Sequence, residues 1–154
     1  LIKLSVETKN VLVDLQALQK FDINAYGRVA ALIRELHANQ GTEIGQNLID
    51  QLNMQGRDID IGSKMIGNSL QIMQEKLHRN IWRLKLWTFD HNDKKHLEPY
   101  RVIYGFFPAS QFRKVPEIRI LAVPCRKYNK EDSYDYQPTD TITIRFRSDY
   151  DNYK

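Results

Sequence analysis

Four short runs in the second half of the chain are apolar, β-branched or aromatic: IWRLKLW (81–87), YRVIYGFFP (100–108), EIRILAVP (117–124) and TITIRFR (141–147). The first and last alternate residue by residue, which puts successive side chains on opposite faces and predicts strands with one face toward a core. In IWRLKLW the core side goes to Trp82, Leu84 and Leu86, and Arg83 and Lys85 share the other face. The first half has a helical period instead. After a short opening strand in LIKLSV (1–6), Val11, Leu15 and Leu18 form a stripe with Leu12 beside it, and Phe21 closes the segment. Asp22 is placed to cap a second helix with the stripe Tyr26, Val29, Ala30, Ile33 and Leu36, which Asn39 to Gly41 stop. So short a link makes the pair a hairpin. Ile44, Leu48, Ile49 and Leu52 predict a third helix, and GRDIDIG (56–62) a turn with an extended piece. Ser63 would cap a fourth helix with Ile66, Leu70, Met73 and Leu77 on one face. The expected fold class is α+β, with helices of the first half packed on one face of a mostly antiparallel sheet.

With 154 residues, 42% of them hydrophobic and 27% charged, the chain suits a single domain with its own core, 1–154. No apolar run is long enough to span a membrane, and LIKLSVETK lacks the pattern of a secretory signal. One cysteine, Cys125, excludes an internal disulfide and a cysteine-rich zinc site, so a reducing cytoplasm is expected. His91 and His96, five apart in a polar connection, read as surface residues and give no metal site. GRDIDIG lacks the Gly-Lys-Ser/Thr of a phosphate loop.

Charge is unevenly spread. Residues 1–80 are net neutral, 81–130 carry eleven Lys/Arg against four acids, and 131–154 carry three against six. A basic middle suits a phosphate-bearing partner or a strongly acidic protein. If the three central strands form a meander, Arg83, Lys85, Arg101 and Arg126 converge toward one end of the sheet. The 88–99 connection, with His91, Lys94, Lys95 and His96, hangs over that end, and Arg113 and Lys114 fall at the opposite one. Converging cations repel one another unless an anion neutralises them.

The order strand, helix hairpin, EKLHRNIWRLKL, EPYRVIYGFF and EIRILAVPCRK resembles the RelE/ParE superfamily of bacterial toxins. The resemblance covers about two-thirds of the chain by the order of these elements; residues 41–66 stand as an insertion and 131–154 as an extension. It implies a metal-free, cofactor-free endoribonuclease that cleaves mRNA on the ribosome and is held in check by an antitoxin. In such a reaction the ribose 2′-OH attacks the adjacent phosphate, which needs a base, a charge stabiliser and an acid for the 5′-oxygen. The resemblance implies catalytic roles for Lys85, Arg101 and Arg126, the arginines on the phosphate and Lys85 as base. It implies a phosphate contact from Arg83, and Lys94, Lys95 and Lys127, placed at the same basic end of the sheet, are the further RNA contacts expected. A late aromatic is also implied, for which spacing favours Tyr134 or Tyr136. The alternatives are the ParE branch, which poisons DNA gyrase, and a non-catalytic binding protein on the same scaffold.

Overall fold

The computed structural model describes residues 3–43, 58–60, 66–70, 79–89, 91–125 and 139–153. The elements run β1 (Lys3–Val6), α1 (Asn10–Phe21), α2 (Ile23–Ala38), β2 (Asp58–Asp60), β3 (Ile66–Leu70), β4 (Ile81–Phe89), β5 (Lys95–Phe107), β6 (Glu117–Ala122) and α3 (Thr141–Tyr153). The chain is therefore α+β. The strands form one sheet in the order β1-β6-β5-β4-β3-β2, with only β1 and β6 parallel.

Local chemistry sets the helix ends. The Glu7 carboxylate accepts the N–H groups of Lys9, Asn10 and Val11, occupying donors that the first turn of α1 leaves without partners. Asp22 caps α2 by accepting the Ala25 N–H at 3.1 Å. Asn39 ends α2, and Gly41 follows in the left-handed region at φ 71°. The buried line on α2 is Ala25, Val29 and Leu32, with Tyr26, Ile33 and Leu36 flanking it. This is a slight rotation from the predicted stripe. Small Ala25 begins this line near the start of the helix, and bulky Tyr26 is left at its margin.

Two cores sandwich the sheet. On one face Val11, Leu18, Ala25, Val29 and Leu32 pack against Trp82, Leu84, Val102, Tyr104, Ile118 and Ile120. On the other, Ile142, Phe146 and Tyr150 of α3 pack against Ile81, Ile103, Phe107, Leu121 and Ala122. The hairpin of the first half thus packs on one face as expected, and the cover of the second face by α3 is an addition to that expectation. TITIRFR is a helix and not a strand. Ile142, Phe146 and Tyr150 recur every fourth residue and are buried together, whereas Ile144, which alternation would send to the core, is 54% exposed. The Ile144 N–H bonds to the Asp140 carbonyl, closing the first turn. The period-2 pattern was real, but the sheet face holding Ile81 and Phe107 required cover that a helix supplies.

A second correction concerns Ile66 and Leu70, predicted on a helix. Residues 66–70 form β3, paired antiparallel with β4 from Ile66↔Trp87 to Leu70↔Arg83. Gly67, Asn68 and Ser69 are weak helix formers, and the open edge of β4 offers their main chain a ladder. Residues 58–60 are extended, as GRDIDIG predicts. The predicted third helix and the positions of Met73 and Leu77 lie outside the described residues. At the other edge, the Leu4 N–H donates to Gln40 Oε1 at 2.7 Å. That occupies a ladder donor which a foreign strand could otherwise use. No described helix is long and apolar enough to cross a membrane.

Candidate functional site

The polar connection between the first two central strands is largely strand itself. β4 runs to Phe89 and β5 begins at Lys95, with Thr88↔His96 and Phe89↔Lys95 in register. The register then breaks. Lys85 stands opposite Arg101, but Trp87 stands opposite Leu97, so Glu98, Pro99 and Tyr100 have no Cα partner on β4. The extra residues form a bulge that contains a proline, which cannot donate to a ladder.

Arg101 closes this bulge. Its Nη1 donates to the carbonyls of Glu98 at 2.6 Å and Tyr100 at 2.8 Å, and the residue is only 6% exposed. Its own N–H bonds to the Pro124 carbonyl, while Tyr100 bridges Cys125. The end of β6 is thereby tied to the start of β5's straight half, as a meander requires. Beneath the bulge, on the helix side, Glu98 is buried and meets Arg28 Nη2 of α2 at 3.0 Å. Partial burial would lower the Arg28 pKa, but Glu98 and Tyr100 outweigh it and hold the guanidinium charged. Burial, reinforced by Glu98, pushes the Tyr100 hydroxyl well above its usual range, so it stays protonated. Tyr104, buried among apolar groups, is raised for the first of those reasons alone.

The predicted site residues separate into three groups. The register brings Lys85 and Arg101 directly opposite each other, with Arg83 two positions along β4 and opposite Ile103. Arg83 lies between Trp82 and Leu84, which face the α1–α2 hairpin, so it belongs to the opposite side of the sheet. Lys94 and Lys95 are not brought to this place. They sit at the tip of the β4–β5 arm, and Lys95 is six residues from Arg101, about 20 Å along an extended strand. Arg126, Lys127, Tyr134 and Tyr136 lie outside the described residues. Arg113 and Lys114 fall at the far end of the sheet, as the meander predicts.

Several polar contacts were not foreseen. Asp14 of α1 accepts from the Val123 N–H at 2.8 Å and from Arg145 of α3 at 2.9 Å, joining both layers just past the C-terminal end of β6. Arg79 grips Asp151 with Nε and Nη2 at 2.9 and 2.8 Å, and Tyr153 Oη donates to buried Glu117. The Arg28–Glu98 pair spans seventy positions in sequence. Its available signal was Pro99 inside a strand-like run, which marks a bulge and therefore a buried polar group needing a partner.

Compared with known protein families, with curated proteins and with solved structures, the chain matches none.

Proposed function

We propose that this protein is a metal-independent endoribonuclease that cleaves mRNA on the ribosome, the toxin half of a toxin–antitoxin pair acting in the cytoplasm. The observation that carries the reading is the cross-strand opposition of Lys85 and Arg101, with Arg83 two positions away. Like charges directly opposite each other destabilise a sheet, and a phosphate between them removes that cost. In this reaction Lys85 takes the 2′-OH proton as general base. The 2′-oxygen then bonds to phosphorus to give a 2′,3′-cyclic phosphate, the bond to the 5′-oxygen breaks and that oxygen takes a proton from solvent water, and the arginines neutralise the oxygens of the phosphorane. Arg126, which lies outside the described residues, is assigned to the phosphate by the resemblance alone.

The antitoxin is an acidic or amphipathic segment that wraps the helix hairpin and the basic face. An open groove of about 340 Å³ along α1, lined by Val13, Gln16, Ala17, Lys20 and Phe21, offers it apolar contact beside a cation.

One observation favours a second reading. Arg101 is buried, and one of its nitrogens serves carbonyls of its own bulge, which is what a non-catalytic scaffold needs of it. Induced expression with primer extension on a highly translated mRNA separates the two, using wild type and an Arg83→Ala/Lys85→Ala double variant. Growth arrest with new cleavage ends, lost in a variant that still folds, is expected. Undiminished cleavage by the variant removes the catalytic assignment. Arrest without cleavage points to gyrase, and neither points to the binding protein.

A further inference from the structure

The loop joining β5 to β6, residues 108–116, presents Phe112 at 90% exposure, the most exposed large apolar side chain among the described residues. The loop is not slack. Ser110 and Arg113 exchange main-chain hydrogen bonds at 2.8 and 3.2 Å, and Ser110 Oγ accepts the N–H groups of both Phe112 and Arg113 at 3.2 Å. Arg113 turns back onto the body of the protein. Its guanidinium lies 4.8 Å from the Phe107 ring centroid and 5.4 Å from that of Tyr153, with Nε 3.4 Å from Glu117. A largely solvent-exposed ring is therefore carried at the tip of a turn whose main chain is hydrogen-bonded in place.

We propose that Phe112 is a stacking platform for an unpaired RNA base, with exposed Lys114 on an adjoining phosphate. The choice of RNA rests on the RNA-directed reading above. The shape of the feature also argues for it. Phe112 is an isolated ring, flanked by Ser110, Gln111 and Lys114, and residues 108–116 contain no acid. Protein hot spots sit in packed, water-excluding patches, and membrane-surface anchoring needs a whole apolar face. A base requires one π-face and a nearby cation. The platform is distinct from the Lys85–Arg101 pair. Phe107, where the loop begins, is six β5 residues from Arg101, about 20 Å away.

The test titrates the full chain with a single-stranded oligouridylate of about ten nucleotides. Phe112→Trp places a reporter on the platform, and stacking should quench its emission beyond anything wild type shows from Trp82 and Trp87. Phe112→Ala should bind about tenfold more weakly while unfolding at the wild-type temperature. Lys114→Ala should reduce the salt slope of binding by about 0.7. Equal affinity of Phe112→Ala and wild type overturns the proposal. So does an emission change in the Phe112→Trp variant that responds to phosphatidylserine vesicles and not to RNA. Primer extension reports the proposed reaction separately. Cleavage by a protein whose RNA binding ignores Phe112 defeats the platform alone, whereas Phe112-dependent binding without cleavage defeats the nuclease alone.

Discussion

Arg101, a residue of the proposed site, also serves the fold. Its contacts with the Glu98 and Tyr100 carbonyls satisfy acceptors that the bulge removes from the β4–β5 ladder. Hydrogen bonds from a charged donor contribute about 1.5–3 kcal/mol, so Arg101→Ala should lower stability by about 2 kcal/mol in denaturant titration. Arg101→Lys should recover part of it. An Arg101→Ala protein as stable as wild type would show that the bulge closes without it. Loss of activity in that variant alone would therefore not identify a catalytic group, and for this reason the functional test uses Arg83 and Lys85. Glu7 is a second residue with a measurable signature. Partial burial by itself would raise its pKa, but the three N–H donors and Arg119 outweigh burial and hold it below the usual value. A carboxyl depressed in the folded state stabilises above its unfolded pKa, about 4.3, and that contribution fades as pH falls through the lower folded value. The stability gap between wild type and Glu7→Ala should thus narrow below about pH 4. A gap that holds constant from neutral to acid pH would refute this role for the Glu7 charge.

At the scale of elements, the docking of α3 depends on a glycine. A Cβ at Gly105 would lie 2.9 Å from Tyr150 Cδ2, closer than such atoms approach, and in a tight contact of 3.0 Å with Phe107 Cε2. Those two rings are stacked, their centroids 4.8 Å apart, so neither can retreat freely. Gly105→Ala should cost about 1–3 kcal/mol by overpacking. The cost should shrink when Tyr150 is also made Leu, since the clash is then relieved; strictly additive effects in that double-mutant cycle would show that Gly105 does not limit α3. The C-terminal helix is then fixed at its edges by polar pairs. Asn10 Nδ2 donates to Asp149 at 2.8 Å, and Arg79 and Asp14 hold Asp151 and Arg145. None of these partners is near in sequence, which is why pattern reading took 141–147 for a strand. Its alternation satisfied the strand template, and only the bare sheet face decided for the helix.

Across the whole molecule, the two hydrophobic layers share one sheet, and β4 and β5 contribute to both. Much of this was legible in the chain. The helix hairpin followed from periodicity and from Asp22 and Asn39, because caps and stripes are local chemistry. The meander followed from three apolar runs, and with it the approach of Lys85 to Arg101, because antiparallel neighbours place one strand's end beside the next strand's start. The same logic placed Arg113 and Lys114 at the far end. By contrast, the connection that holds Lys94 and Lys95 was read as a loop, whereas β4 and β5 continue the ladder into it past a bulge. A register shift depends on main-chain partners across the sheet, which composition does not display. The sequence by itself determined the α+β class, the capped hairpin, the inward faces of Trp82 and Leu84 and the concentration of positive charge in 81–130. Tertiary structure alone decided that Ile66–Leu70 extends the sheet, that Thr141–Tyr153 is a helix covering its second face, and that Arg101 is spent partly on its own bulge. The division has one physical cause. Caps, turns and amphipathic stripes are settled by residues a few positions apart, whereas edge pairing, face coverage and buried charges are settled by whichever distant groups still need partners.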